Sequence, residues 1–442
     1  MPKKSAISCF LSRRCSCLRP LLLPVLLLSA APLAAAQTSS TDVDTRTAPE
    51  PVIGVRPAPF TAQPYLFDTA EQHGIQVEIL VRGLRNPFSL VFLPDGDALV
   101  VERRRALRLV RSATSARPQL AAAPVAGLPH FPEVEGAGLQ DVALHPDFAR
   151  NRLVYFTYNR PADVETKAGR PRLSFVLAQA RYQGNTLSGL KELVVGEPIA
   201  ESSGSRIIFD GHGHIFVTTG AAHTDLAKNL DNIYGKVLRV DEDGGIPSDN
   251  PFVRTKGARG EIFSYGHRDQ LGIAIIGEGG NVLTVEHGPN GGDKVNHILP
   301  GRNYGWPYFS FGRNYDGSAW GAGPVGPAIE PPIVLWNPSV APMDMAIYTA
   351  DRFPAWKGNL FVASARRGQI DRSGGLERIV FNDSLGEIRR ESLLGSLHRR
   401  VHAVRQGPDG LIYALLAGDD LEKVDDTALA RISPAALSEQ PD

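Results

Sequence analysis

The feature that most constrains the fold of this 442-residue chain is a β-hairpin pattern that recurs along it. Each copy is a run of β-branched and aromatic residues, a tight polar turn and a second such run, which is typical of a two-stranded hairpin. The copies occupy residues 89–103, 141–160, 206–220, 272–288, 345–368 and 401–418. A unit repeated in this way predicts a β-propeller in which each hairpin forms the inner half of a four-stranded blade.

Six copies predict six blades, so the expected fold class is all-β, a six-bladed β-propeller. The alternative is a pair of β-sandwiches with similar hairpins, but sandwiches rarely repeat one turn so many times. Long helical periodicity is absent from the sequence. The best helical candidate, residues 223–240, runs into a strand and predicts only a short helix.

The first 36 residues have the pattern of a secretory signal peptide, with basic residues up to Arg19 followed by an apolar run that ends in small residues. The run is shorter than the roughly 20 residues of a membrane span, and prolines interrupt it. A membrane anchor is the alternative, and the pair Arg13 and Arg14 leaves twin-arginine and general secretory export both open. We expect a secreted, periplasmic protein. Its expected segments are a signal peptide (1–36), a flexible Pro/Thr-rich linker (37–76), a propeller (77–436) and a tail (437–442).

Composition excludes several function classes for the mature chain. All three cysteines lie in the predicted signal peptide, which leaves no disulfide, thiolate metal site or thiol nucleophile. Removing the signal also removes five basic residues, so 42 Lys and Arg face 47 Asp and Glu. A net charge of −5 argues against a nucleic-acid binder. No further stretch has the length and hydrophobicity of a membrane span.

Propellers bind ligands at one mouth of the central channel, in loops that connect the blades. Two stretches at the ends of inner hairpins are candidates: "SYGHRDQLG" (264–272) and "EHGPNGGDKVNHILPGRNYGWP" (286–307). The second stretch has neither helical nor strand periodicity. Taken alone, its glycines, prolines and asparagines indicate only turns.

The order and spacing of these stretches, with "GSRIIFDGHGHIFVTTG" before them and "NYDG" after them, resemble the soluble quinoprotein sugar dehydrogenases. This is the glucose/sorbosone dehydrogenase family, which includes the aldose sugar dehydrogenases, and the resemblance covers about residues 77–436. It implies a six-bladed propeller, as the repeats predict independently. It also implies binding of pyrroloquinoline quinone (PQQ) and Ca²⁺, and oxidation of an aldose to a lactone with an external electron acceptor that the sequence does not identify.

Such a site needs particular residue types. PQQ carries three carboxylates, which arginine and lysine side chains bind. Calcium takes oxygen ligands, including backbone carbonyls, and acts as a Lewis acid on the reactive carbonyl of the cofactor. A base must accept the proton of the sugar hydroxyl while hydride leaves the carbon.

The resemblance assigns roles to positions that match the family motifs. It implies that Arg268, Tyr315, Arg366 (a lysine in the family) and Arg400 bind the cofactor. It also implies that the backbone carbonyls of Gly288 and Pro289 ligate the cofactor's calcium. The carbonyl of Tyr304 would belong to a further calcium site.

Five positions depart from the family pattern. Ser202 occupies the position where the family has its histidine base, and Gly136 the position of a family glutamine. Asp269 replaces an asparagine that binds the cofactor, and His402 replaces a second cofactor-binding arginine. Lys294 replaces a calcium-ligating glutamate. A serine is not a base near neutral pH without an activator, so His267 and His287 are candidates to replace it, although each also has a structural interpretation. Lys294 cannot ligate calcium, but its ammonium could occupy the cation position.

The leading hypothesis is therefore an exported PQQ-dependent sugar dehydrogenase with an unassigned base. The alternative is a catalytically degenerate propeller that binds a carbohydrate or a protein partner through the same mouth. A calcium-dependent lactonase is a third hypothesis. It needs carboxylate and amide ligands that converge on the channel axis, and the sequence shows no such set.

Overall fold

The computed structural model describes residues 57–61, 63–201, 203–421 and 423–435. The predicted signal peptide, the tail at 437–442, the linker up to residue 56 and Ser202 lie outside the described residues.

Six antiparallel sheets form the blades, and in five of them the strands succeed one another outward from the channel in chain order. Two strands that precede the first blade, β1 (Tyr65–Phe67) and β2 (Ile75–Arg82), belong to the last blade. Blade one contains β3 (Pro87–Phe92), β4 (Ala98–Glu102), β5 (Ala106–Arg111) and β6 (Gln119–Leu120). Blade two contains β7 (Gly138–Leu144), β8 (Leu153–Glu165), β9 (Pro171–Gln183) and β10 (Thr186–Val195). Blade three contains β11 (Ile207–Phe209), β12 (His214–Thr218), β13 (Lys236–Asp241) and β14 (Ile262–Tyr265).

The remaining blades have the same plan. Blade four contains β15 (Asp269–Ile276), β16 (Asn281–His287), β17 (Asp293–His297) and β18 (Val334–Trp336). Blade five contains β19 (Pro342–Ile347), β20 (Leu360–Ser364), β21 (Gly375–Phe381) and β22 (Glu387–Leu393). Blade six contains β23 (Arg400–Gln406), β24 (Ile412–Ala417) and β25 (Ala428–Pro434), followed outward by β2 and β1. Within the described residues, the helices are one α-helix, α1 (Phe148–Asn151), and 3₁₀ turns at Leu226–Lys228, Pro354–Trp356, Gly395–Leu397 and Val424–Asp426.

The six predicted hairpins are the two inner strands of the six blades, so the predicted six-bladed propeller is confirmed. The helical candidate at 223–240 forms one 3₁₀ turn and then strand β13, as expected. No helix among the described residues is long and apolar enough to cross a membrane.

The ring is closed by strands from the two ends of the propeller. Strand β2 pairs antiparallel with β25, from Ile75 opposite Pro434 to Arg82 opposite Ala428. Strand β1 then pairs with β2. The predicted boundary at residue 77 is therefore wrong, because part of the segment predicted as linker is strand. A three-residue edge strand is too short to show an alternating pattern in the sequence.

Apolar packing between blades forms the core and holds the inner strands rigidly. Strand β4, for example, is buried at all five of its residues, because both of its faces pack against neighbouring blades. The inner strands of five blades also carry a bulge within their first three residues, at Phe88, Gln140, Leu271, Met343 and His402. A bulge re-aims the side chain that it carries, and bulges often occur beside functional sites. These bulges lie at the end of the blades where the inner strands begin.

Candidate active site

A cavity of about 420 Å³ opens at the mouth of the channel where the inner strands begin. Loops from blades three to six form its walls. Its lining includes His223, Arg268, Asp269, His287, Gly288, Pro289, Asn290, Tyr315, Ser339, Met343, Arg366 and Arg400. Five predicted residues of the two irregular stretches thus meet the predicted arginines of the later blades in one place. Lys294, Tyr304 and His267 belong to the same stretches but lie outside this lining.

Arg206 is a buried residue that contacts one residue of this lining, Met343. Its side chain is 1% exposed, and its NH2 donates to the carbonyl oxygens of Phe88 at 3.1 Å and Met343 at 2.6 Å. The Nε of Arg206 lies 3.3 Å from the Asp344 carboxylate, which also pairs with Arg405 of blade six. One guanidinium therefore ties the inner strands of blades one, three and five together. Removing one partner from a buried network of this kind is strongly destabilising.

Arg268 is the most buried of the arginines that line the cavity, at 9% exposure. Its backbone N–H donates to Glu286 Oε2 at 2.7 Å, and its carbonyl accepts the N–H of Ala221 at 2.6 Å. Its guanidinium carbon lies 5.2 Å from the centre of the Trp306 ring, within the range of a cation–π contact. The Trp306 indole in turn donates to the carbonyl of Ala221 at 2.8 Å. Backbone and side chain of Arg268 are thus both fixed in position.

Glu286 is a buried hub directly behind Arg268. Besides the Arg268 N–H, its carboxylate accepts Asn296 Nδ2 at 2.8 Å and lies 3.2 Å from Lys294 Nζ and 3.6 Å from His267 Nδ1. Burial by itself raises the pKa of Glu286, but Lys294, His267 and the Arg268 N–H outweigh burial and hold that pKa far below its ordinary range. Glu286 is therefore ionised, and its charge is balanced by the Lys294 ammonium.

Lys294 supplies the cation at the place where the family resemblance implies a further calcium site. Its Nζ donates to the carbonyl of Tyr304 at 3.0 Å, in addition to its contact with Glu286. An ammonium group bridging a carboxylate and a carbonyl takes the oxygen ligands that a divalent ion would need. The residues here do not fit a calcium ion, and the expectation that the ammonium occupies this position agrees with the geometry.

The loop after β16 owes its shape to Asp293 and to a glycine. Asp293 is fully buried, and its carboxylate accepts N–H donors from Gly288 at 2.8 Å, Val340 at 2.8 Å and Ala341 at 2.7 Å. It thereby clamps two walls of the cavity together. A Cβ at Gly288 would lie 2.1 Å from the carbonyl oxygen of Gly291, so only glycine fits this turn.

The charge of the cavity fits an anion with several carboxylates. Three guanidinium groups line it, those of Arg268, Arg366 and Arg400. Among the described residues, the buried Nε atoms of Arg268 and Arg400 have no hydrogen-bond partner, and the Arg400 Nε lies 3.8 Å from the Asp419 carboxylate. Buried donors normally have partners, and arginine forks match carboxylates. These three residues would hold the carboxylates of PQQ.

Asp269 adds one negative charge to this wall. A Cβ at Gly220 would lie 2.8 Å from the Asp269 Oδ1, so the glycine leaves room for the carboxylate. Gly288 and Pro289 line the cavity, where their carbonyls would face calcium by resemblance. The described residues contain no cluster of three or more His, Cys, Asp or Glu side chains able to hold a metal, so any calcium here would depend on carbonyl oxygens.

Some predicted residues lie outside the lining of the cavity. His267 is fully buried, with Nε2 2.9 Å from Ser264 Oγ and its ring stacked on that of Tyr304. His402 is 2% exposed and bonds the carbonyl of Pro87 at 2.9 Å. Burial, together with nearby Arg400, lowers the pKa of His402 to about 4. His402 is therefore neutral and does not replace the charge of a second arginine, and His267 is not placed to touch a ligand.

Sequence reasoning missed four residues of this site: His223, Arg206, Glu286 and Asp293. The last three act through partners distant in sequence, which no local motif reveals. Arg206 and Asp293 lie inside the motifs "GSR" and "GGDK". A charged residue inside such a motif was the signal that could have identified them. His223 stands in a polar segment, and no motif near it in the sequence marks it as a site residue.

Comparison with known proteins places the chain in a family. The sequence model described as Glucose / Sorbosone dehydrogenase matches residues 84–423. The chain belongs to this family. It is 33% identical over 348 residues to the aldose sugar dehydrogenase YliI of Escherichia coli (strain K12), which covers 77% of this chain and 90% of the relative. The resemblance to PQQ-type sugar dehydrogenases is thereby confirmed.

Solved structures of other family members have the same fold. The soluble aldose sugar dehydrogenase from Escherichia coli in its apo-form superposes with a TM-score of 0.72 at 30% identity, covering 82% of this chain and 100% of that one. The PQQ-bound form of aldose sugar dehydrogenase from Streptomyces coelicolor superposes with a TM-score of 0.62 at 22% identity, covering 82% and 99%. At that lower identity the likeness shows the propeller fold.

Proposed function

We propose that this family member is a PQQ-dependent dehydrogenase that oxidises an aldose, or a related alcohol, to the lactone in the mouth of its propeller. The observation that carries the proposal is the convergence of three guanidinium groups on one cavity, two of them with a buried Nε that has no hydrogen bond within the described part of the chain. The aldose sugar dehydrogenase relatives support the substrate class. The PQQ-bound relative supports the cofactor.

Each residue has a part in this proposal. Arg268, Arg366 and Arg400 bind the cofactor carboxylates, and Tyr315 stands at the rim, 69% exposed, where it can cover a bound ring. The carbonyls of Gly288 and Pro289 would hold calcium. When bound, PQQ supplies the quinone that accepts hydride from the sugar carbon, and calcium polarises that quinone. Asp269 can accept hydrogen bonds from sugar hydroxyls.

In this proposal the protein acts in the periplasm after removal of residues 1–36. The electrons pass from the reduced cofactor to an external acceptor. Amino-terminal sequencing of the protein recovered from the periplasm tests the cleavage site. A chain recovered with an intact amino terminus in the membrane fraction would contradict export with cleavage.

The test of the function is dye-linked oxidation of a panel of aldoses by purified protein loaded with PQQ and Ca²⁺. We expect dye reduction that requires both PQQ and sugar, with one lactone formed for each two electrons transferred. PQQ binding without dye reduction on any aldose would overturn the enzymatic proposal.

The catalytically degenerate propeller is the second candidate, and the observation that favours it is Ser202 at the position of the family base. Under this alternative the same cavity binds a carbohydrate or protein partner without turnover. Saturable sugar binding by a protein that never reduces the dye is the result that distinguishes it.

A further inference from the structure

We propose that His223 is the base that accepts the proton of the sugar hydroxyl. This inference rests on the proposed function and names a catalytic residue that the family pattern does not supply. His223 is exposed and lines the cavity on the wall formed by the loop between β12 and β13.

The first argument is the placement of that loop. On one side, the N–H of Ala221 donates to the carbonyl of Arg268, the arginine proposed to bind the cofactor, at 2.6 Å. On the other side, the N–H of Gly220 donates to Ser203 Oγ at 2.7 Å, and the N–H of His223 donates to Glu201 Oε2 at 3.0 Å. The loop therefore connects the proposed cofactor wall to the two residues that flank position 202. His223 lies beside the segment where the family carries its histidine base.

The second argument comes from the other histidines near the mouth of the channel. His267 and His402 are buried away from the cavity lining. His287 lines the cavity, but its Nε2 lies 2.7 Å from the carbonyl of Pro342, so that nitrogen must donate a proton. His287 also adjoins Gly288 on the wall expected to face the calcium. The His223 ring has no hydrogen bond among the described residues.

The chemistry suits an imidazole in this position. A neutral imidazole has a ring nitrogen with a free lone pair that can accept a proton. The O–H bond of the anomeric hydroxyl breaks and its proton moves to the imidazole. The C–H bond of the same carbon breaks as hydride passes to the quinone, a C=O bond forms, and two electrons reduce the cofactor. Glu201, Arg268 and Asp269 are charged groups on neighbouring segments, and the loop of His223 itself carries Asp225, Lys228 and Asp231.

Glu201 adds to this arrangement as a positioning residue. Its carboxylate accepts both the His223 N–H and the Thr224 hydroxyl, the latter at 3.2 Å. Burial raises the pKa of Glu201, although these two bonds oppose the shift. The carboxylate holds the backbone of the loop, and His223 itself lines the cavity.

The experiment compares His223→Gln with His287→Gln and with His130→Gln, an exposed histidine outside the cavity lining. In PQQ-loaded protein, we expect His223→Gln to lower kcat by about 100-fold or more and to remove the acid limb of the pH–rate profile. PQQ affinity, measured by titration, should stay within about threefold of wild type. Adding Ser202→His to His223→Gln should restore part of the lost kcat.

A second readout does not depend on turnover. Carbethoxylation of histidines, followed by peptide mass spectrometry, should modify His223 and His130 in the full chain and leave His267 unmodified. Sugar added to the PQQ-loaded protein should protect His223 and not His130. Protection of both or neither would overturn the placement of His223 at the substrate.

The outcomes separate this inference from the proposed function. If wild type binds PQQ and oxidises sugar while His223→Gln keeps full kcat, the inference is wrong and the function stands. Loss of kcat in His287→Gln alone would assign the base to His287. If wild type neither binds PQQ nor oxidises sugar, the proposed function and this inference fail together.

Discussion

The charges that line the cavity are held by side chains lying behind it. Arg268 keeps its position because Glu286 accepts its backbone N–H, and Glu286 stays ionised because Lys294 balances it. With a lysine in this place, the charge of Glu286 is balanced by a side chain of the protein itself. The resemblance to known motifs could identify Lys294 as a departure from the family. The contact of its ammonium with both Glu286 and Tyr304 could not be predicted, because it depends on side chains that converge from separate segments.

Replacing Lys294 should show that its ammonium takes the place of a divalent cation. Lys294→Met leaves the buried Glu286 carboxylate uncompensated, so we expect the free energy of unfolding to fall by about 3 kcal/mol. Lys294→Glu places a second carboxylate beside the Tyr304 carbonyl and should be destabilised without metal. Added Ca²⁺ should restore much of its Tm in the absence of PQQ and should not rescue Lys294→Met. Equal responses of the two variants to Ca²⁺ would contradict this account.

His402 should make the protein sensitive to acid. Its folded pKa of about 4 lies below the unfolded value of about 6.5, so the unfolded chain binds more protons between these pH values. Stability is therefore lost as pH falls through this window. Between pH 8 and pH 4, wild type should lose about 3 kcal/mol more unfolding free energy than His402→Asn, which can keep the bond to Pro87. Parallel denaturant-unfolding curves for the two proteins across this range would show that His402 does not titrate in this way.

The blades and the loops between them were predictable to different degrees. All six inner hairpins could be located from alternation and turn residues, because both signals are local. The outer strands and the bulges could not, since short edge strands carry little pattern and a bulge depends on its neighbour strand. The loop at 286–307 was recognised as irregular. Its shape depends on the buried carboxylate of Asp293, which bonds a loop of the next blade.

Gly288 offers a test of this loop. In Gly288→Ala, the added methyl group meets the carbonyl of Gly291, so the turn must rearrange. We expect PQQ affinity to fall at least tenfold, with a lower Tm. Gly395→Ala is the matched control, since a Cβ there meets no atom within 4 Å. PQQ affinity in Gly288→Ala equal to that of the control would show that the loop does not shape the cofactor site.

Closure of the ring is a property of the entire chain, and it corrects the predicted amino-terminal boundary. Strands β1 and β2 come first in the sequence but complete the last blade. A chain that lacks residues 1–56 should therefore fold with the thermal transition of the mature protein. A chain that lacks residues 1–82 leaves the edge of β25 unpaired, and we expect it to aggregate or to lose its cooperative transition. A cooperative transition in the shorter chain at an unchanged Tm would contradict the closure.

The central claim is that the arginine-lined mouth binds a tricarboxylate quinone. The most direct measurement is calorimetric titration of PQQ into the purified chain, with and without Ca²⁺, for wild type, Arg268→Gln and the exposed control Arg150→Gln. We predict saturable one-to-one binding in wild type and control, and binding about 10- to 100-fold weaker in Arg268→Gln, the cost of a charged hydrogen bond. Absence of PQQ binding in wild type under both conditions, or equal affinity in all three proteins, would contradict the claim.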